Sequence, residues 1–265
     1  MKKLYTFLVL FTLGIFLSTQ LMSQSGDVVT LTEDNHIVFS GVVDDTSVAK
    51  AQLALGQISA NLGKKEVIYL VIDSPGGSVS AGNLFIDFAK SLPQKIKPIC
   101  IFCASMGYHI FQSLDERLVY NSSELMSHRV RIGGLAGQVP GEAISRLNNI
   151  IAVSNKMDES VAKRIGLTLE AYQNLIYDEL WLDGTNAVKL KHADRIAKIK
   201  CSESLMTKTK SQSVDTFFGP VEVKMSKCPL INGALGFEFK REAFRSLEEV
   251  KTLVRRAKRT QIWNY

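Results

Sequence analysis

The stretch EVIYLVIDSPGGSVSAGNLFIDFAKSL, residues 66–92, decides how the chain is read. Residues 66–72 are a β-rich run with no polar alternation, as in a strand covered on both faces. Asp73-Ser74-Pro75-Gly76-Gly77 is a turn, and a helix is expected over about 80–92. The same alternation continues on either side. Upstream, residues 36–43 read as a strand closed by Asp44-Asp45. Thr46 or Ser47 then caps a helix with Val48, Ala51, Leu55, Ile58 and Leu62 on one face. Downstream, residues 99–103 form a strand that feeds directly into Ser105-Met106-Gly107. Short strands follow near 117–120 and 124–127, then Gly-rich residues 133–137 and a long helix over about 140–164. A helix at 168–177, a strand at 180–182, a helix at 185–191 and a strand at 195–199 complete the unit. Repeated strand–helix alternation indicates an α/β domain.

Composition agrees with a packed core. Of 265 residues, 46% are apolar and 22% charged, with 18 Gly and 6 Pro, which excludes a disordered or collagen-like chain. Four Cys in this length exclude a small disulfide scaffold. The net charge of +6 gathers at the two ends, so no nucleic-acid partner is expected. No metal and no cofactor are expected either.

Residues 1–25 are expected to be a signal peptide or membrane anchor. Met1-Lys2-Lys3 is basic, residues 4–17 are fourteen without a charge, and Ser18-Thr19-Gln20 is polar. Small residues Ser23 to Ser25 precede Gly26 at a spacing that suits cleavage. Uncut, residues 4–22 just span a bilayer, with the body outside. A buried N-terminal helix would show an apolar/polar period, and none runs through this stretch. An exported, periplasmic or otherwise extracytoplasmic protein is the expectation.

Cys100 and Cys103 form a CxxC inside an apolar strand. Residues three apart on a regular strand face opposite ways, so these thiols are not expected to meet. A bridge between Cys201 and Cys228 is left open. Residues 201–265 read as a basic extension: a polar linker over 202–213, a possible hairpin over 214–239 and a helix over 241–258. Residues 240–265 hold eight Lys/Arg against three Glu, a solvated face or a docking surface for anionic lipid or a partner.

The chemistry is expected between Asp73 and His128. Ser105 sits where a strand turns into a helix, flanked by the small residues Ala104 and Gly107, with its hydroxyl at the positive helix end. A serine hydroxyl needs a base to take its proton. His128, at the end of the 124–127 strand, is placed to do so. Backbone N–H groups of Gly76, Gly77 and Met106 are candidate oxyanion donors. His36 and His192 read as surface or strand-edge residues, and His109 as packing. Asp73 reads as a turn former, and Asn121-Ser122-Ser123 as a glycosylation pattern that matters only in a host that uses it.

The segments HIVFSGVVDDTSVA, VIYLVIDSPGGSVSAG, PICIFCASMG, NSSELMSHRV and GGLAGQ occur in the order and spacing of the Clp protease proteolytic subunit. The chain resembles that family over about residues 36–199. The resemblance implies a ClpP/crotonase-type fold, a spiral of ββα units with a protruding handle around residues 133–138. It implies a homo-oligomeric ring acting on peptides or unfolded proteins. It also implies Ser105 as nucleophile, His128 as base, and Gly77 and Met106 as oxyanion donors. The family's third member, an Asp, falls here on Leu175, which cannot orient an imidazole. Asp178 is the expected substitute, with Glu179, Asn174 or no third member as alternatives.

The expected function is an exported serine endopeptidase working through a Ser–His acyl-enzyme mechanism without an ATP-driven partner. One alternative is a signal-peptide-peptidase-like Ser–Lys protease with Lys156 as base. Another class is a catalytically silent scaffold or binding protein of the same fold. An acyl-CoA enzyme of the crotonase group would leave the Ser–His pair without a use.

Overall fold

Parallel strands at the centre of an α/β sheet are buried on both faces, and this chain is built on that rule. The computed structural model describes residues 28–133, 137, 139–216, 219–231 and 233–239. The main sheet runs β2 (His36–Val43), β3 (Val67–Gly77), β4 (Lys95–Ala104), β5 (Leu118–Ser127) and β6 (Leu180–Asp183). Its first three pairings are parallel, β6 is antiparallel to β5, and β7 (Arg195–Ile196) pairs parallel with the start of β5. Strand β3 shows why its sequence does not alternate. Ile68, Leu70 and Ile72 enter one buried cluster, whereas Val71 enters a second on the opposite face.

The first cluster lies under α1 (Asp45–Asn61), α2 (Val79–Ser91), α3 (Met106–Ser113) and the C-terminal part of α4 (Pro140–Ile165). Helix α5 (Leu169–Leu175) packs on α4, and α6 (Gly184–Lys189) lies against β5. Asp44, rather than Thr46 or Ser47, caps α1. Its carboxylate accepts from the Ser47 N–H at 2.7 Å, and Ser47 Oγ accepts from the Asp44 N–H at 3.0 Å. The side chain already expected to end the strand thus also starts the helix.

The second cluster is completed by segments from both ends of the described chain. Strand β1 (Val28–Leu31), which was not anticipated, pairs parallel with β8 (Lys198–Cys201). Val29, Leu31, Ala197, Cys201, Leu205 and Cys228 bury the outer face of Val71, Ile99 and Leu118. The expected linker over 202–213 is therefore wrong. It holds α7 (Glu203–Thr207) and the start of β9 (Thr209–Thr216). The possible hairpin is a three-stranded antiparallel sheet of β9, β10 (Gly219–Ser226) and β11 (Ala234–Phe239). Cys201 and Cys228 form a disulfide that ties this region to the body. The leader over 1–25, most of the 133–138 stretch and the helix over 241–258 lie outside the described residues. Among the described residues, no helix is long and apolar enough to cross a membrane.

Cys100 and Cys103 are disulfide-bonded, with Cα atoms 5.8 Å apart, against the expectation that they face apart. The cause is a β-bulge. Ile72 pairs with Cys100 and Asp73 with Phe102, so Ile101 is an extra residue that reverses the side-chain parity between the two cysteines. On the other side, Cys100 pairs with Val119 and Phe102 with Glu124, so β5 makes an excursion through residues 120–123. The two expected short strands are one interrupted strand. Ser123 closes the excursion, donating to the Cys100 carbonyl at 2.6 Å and accepting from the Tyr120 N–H at 2.8 Å.

His192 is corrected as well, whereas His36 does open β2, the edge strand of the main sheet. His192 is buried, and its Nδ1 is hydrogen-bonded to the Tyr108 hydroxyl at 2.6 Å. His36 is largely buried beside the Thr32 carbonyl. Asp73 lies within β3 rather than in a turn.

Candidate active site

Strands β3, β4 and β5 end side by side, at Gly77, Ala104 and Ser127, where open α/β sheets place ligands. Ala104 pairs with Met126, and the ladder continues one step further as the Ser105 N–H donates to the Met126 carbonyl at 2.9 Å. This register places Ser105, one residue past β4, beside His128, one residue past β5. His128 Nε2 lies 2.8 Å from Ser105 Oγ.

Ser105 has φ 53° and ψ −118°, in a region that a residue with a Cβ seldom occupies. The sharp turn exposes its hydroxyl at the head of α3, where unpaired N–H groups and the helix dipole favour negative charge. Gly76 explains how the turn is accommodated. Its φ is +90°, and a Cβ there would stand 2.6 Å from both the Ala104 carbonyl oxygen and the Met106 nitrogen. Only glycine allows β3 to pass so close behind the serine. The Gly76 N–H is held internally by Ser74 Oγ at 3.1 Å, and Ser74 Oγ in turn donates to the Gly41 carbonyl at 2.6 Å.

The tautomer of His128 follows from its other contact. Nδ1 lies 2.6 Å from the Arg129 carbonyl oxygen, which can only accept. Nδ1 therefore carries the proton, and Nε2 presents its lone pair to the serine hydroxyl, the arrangement a general base needs. His109, also near His128, is buried on α3, and its pKa is pushed down to about 4 by burial and by the charge of His128.

The other sequence candidates stand elsewhere. Asp178 is exposed on the turn before β6, and the His128 Nδ1–H that it was expected to bind is taken by the Arg129 carbonyl. Leu175 and Asn174 are exposed on α5, and Lys156 is exposed on α4. Glu179 binds Arg131 and Trp181 rather than the imidazole. Sequence reasoning missed Arg129, because a main-chain acceptor leaves no mark in residue type. It also missed Asp158, buried on α4, whose carboxyl is pushed up by burial and accepts from Gln173 Nε2 at 3.1 Å. Among the described residues, no cluster of His, Cys, Asp and Glu could hold a metal ion.

A sheet that delivers a serine to the head of a helix, with an imidazole against its hydroxyl, is the arrangement of serine-nucleophile hydrolases as a class. Within that class the sequence settles the family. The Clp protease family model matches residues 22–200, more than half of the chain. The chain belongs to the Clp protease family, whose members are serine-type peptidases.

Proposed function

We propose that the protein is an exported serine endopeptidase in which Ser105 attacks the scissile carbonyl and His128 is general base. The observation that carries this is the 2.8 Å contact between His128 Nε2 and Ser105 Oγ, in the tautomer that accepts a proton. Ser105 Oγ bonds to the substrate carbonyl carbon while its proton passes to Nε2. That proton then goes to the leaving amine, and water, deprotonated in the same way, releases the acyl group. The oxyanion is received by the N–H groups of Gly77 and Met106. Gly76 is spent on Ser74, whereas the Ser78 N–H faces β2, bonding the Val43 carbonyl at 2.7 Å. Successive N–H groups of an extended chain face opposite sides, which turns that of Gly77 toward β4 and Ser105.

Export is supported by the leader pattern and by the pairing of all four cysteines in disulfides, as suits an oxidising compartment. No ATP-driven unfoldase is then at hand, so the substrates are short or already unfolded peptides. A homo-oligomeric ring accords with the family and with Val139, Ile144 and Ile151, before and on α4, lying exposed. The test is Ser105→Ala. Peptide turnover should fall to the residual catalysis of binding and oxyanion donors, roughly 10³–10⁴ above water, with the fold retained. Unchanged turnover would remove Ser105 from the mechanism.

A further inference from the structure

The nucleophile is delivered by β4, and β4 carries one residue too many. Ile72 pairs with Cys100 and Ser74 with Cys103, two steps on β3 against three on β4. Cys100 and Cys103 therefore share a face, and both are fully buried in the first cluster. Their disulfide spans the inserted residue, Ile101, and ends two residues before Ser105. An inserted residue in a central strand gives up ladder pairing, whereas the β-prone run Ile99-Cys100-Ile101-Phe102 favours a regular strand. Ungapped pairing onward from Cys100 would set Ile101 against Asp73 and Cys103 against Pro75. Every side chain beyond would then change face. Ser105 would leave its place beside Met126, and Gly76 would no longer stand behind its turn. One covalent link thus crosses the register on which the site depends.

We propose that the Cys100–Cys103 bridge is a positioning element for the nucleophile: it pins the extra residue in β4, holds Ser105 opposite His128, and makes the peptidase active only once the two thiols are oxidised. The oxidant is an external disulfide. One cysteine thiolate attacks it to give a mixed disulfide, and the second cysteine attacks that to close the bridge. Two electrons and two protons pass to the external disulfide, which leaves as two thiols. A chain that still holds both cysteine thiols, as in a reducing compartment, is dormant, and export completes the site. This rests on Ser105 as nucleophile and on export, as proposed above. The Cys201–Cys228 bridge lies in the second cluster, on the other face of the sheet, and has no such role.

The full-length protein with Cys201→Ser and Cys228→Ser isolates this bridge. A dithiol should open it, as read by alkylation and mass spectrometry of residues 100 and 103. Turnover of a short peptide should then fall about 10–100-fold in kcat, the effect of a displacement on the order of 1 Å at a reacting group, with KM within about twofold. Oxidised glutathione should restore both the bridge and the turnover, which separates a lost register from a lost fold. Cys100→Ala with Cys103→Ala should show the same split of kcat from KM and no response to oxidant. Should the buried bridge resist the dithiol, that variant decides on the same readouts. If the Cys201→Ser, Cys228→Ser background does not fold, the unaltered protein serves, because alkylation reports each bridge separately.

Any of four results would overturn the proposal: free thiols at residues 100 and 103 in an active protein; an opened bridge with kcat unchanged; full turnover in the double alanine variant; or a loss on reduction that oxidant does not reverse. Labelling with a fluorophosphonate distinguishes this from the underlying reading. No adduct at Ser105 in the oxidised protein ends both, whereas an adduct formed equally fast before and after reduction ends the redox role alone.

Discussion

At the scale of single residues the site is a set of close approaches. Gly76 is the one behind the nucleophile, because its missing Cβ is what lets the end of β3 lie against the Ser105 turn. Gly76→Ala should cost about 1–3 kcal/mol through the forced φ alone, and more if the turn shifts. Equilibrium urea unfolding would read the stability, and peptide turnover should fall with it; a variant of full stability and activity would contradict the geometry. Ser105 and His128 were legible in the sequence, since a serine between small residues at a strand end and a histidine closing the next strand leave a pattern of residue types. The Arg129 carbonyl was not legible, because the main chain offers the same acceptor at every position. Asp178 was a reasonable choice by residue type, but a turn residue one position from Glu179 faces solvent here.

At the scale of elements, the strands and helices between His36 and Ile196 follow from apolar runs, turn residues and helical spacing. Three features did not. The bulge at Ile101 reverses parity within β4, and period-two reasoning has no means of seeing an inserted residue. Strand β1 is four residues long and finds its pairing only with β8, far along the chain. The polar segment taken for a linker folds because Leu205, on α7, and Cys228 cover a face of the sheet to which α1 to α6 contribute no buried side chain. The Cys201–Cys228 bridge, spanning 27 residues, should therefore matter to stability. Cys201→Ser with Cys228→Ser should lower unfolding free energy by about 3.5 kcal/mol, the loop-closure term for that span, while leaving Ser105 and His128 in place. Chemical denaturation in parallel with turnover would check both halves of that statement; an unchanged unfolding midpoint would mean the bridge closes nothing that unfolds.

At the scale of the molecule, buried histidines set a limit on acid stability. His109 and His192 both have pKa values held at about 4 by burial, below the 6.5 of a solvated histidine. The unfolded chain takes up those protons first. Stability is thus complete above pH 6.5 and falls as pH drops toward 4, by about 3 kcal/mol per histidine at the lower end. Urea midpoints at pH 7, 5.5 and 4.5 should decline steadily, and His192→Gln should flatten the slope; a flat profile in the unaltered protein would contradict the burial of both rings. The account as a whole stands on one contact, between the His128 imidazole and the Ser105 hydroxyl at the carboxyl ends of β4 and β5. Mapping a fluorophosphonate adduct by mass spectrometry tests it most directly. The prediction is a single adduct on Ser105, abolished in His128→Ala and undiminished in Lys156→Ala. An adduct elsewhere, or one that survives His128→Ala and disappears in Lys156→Ala, would contradict it.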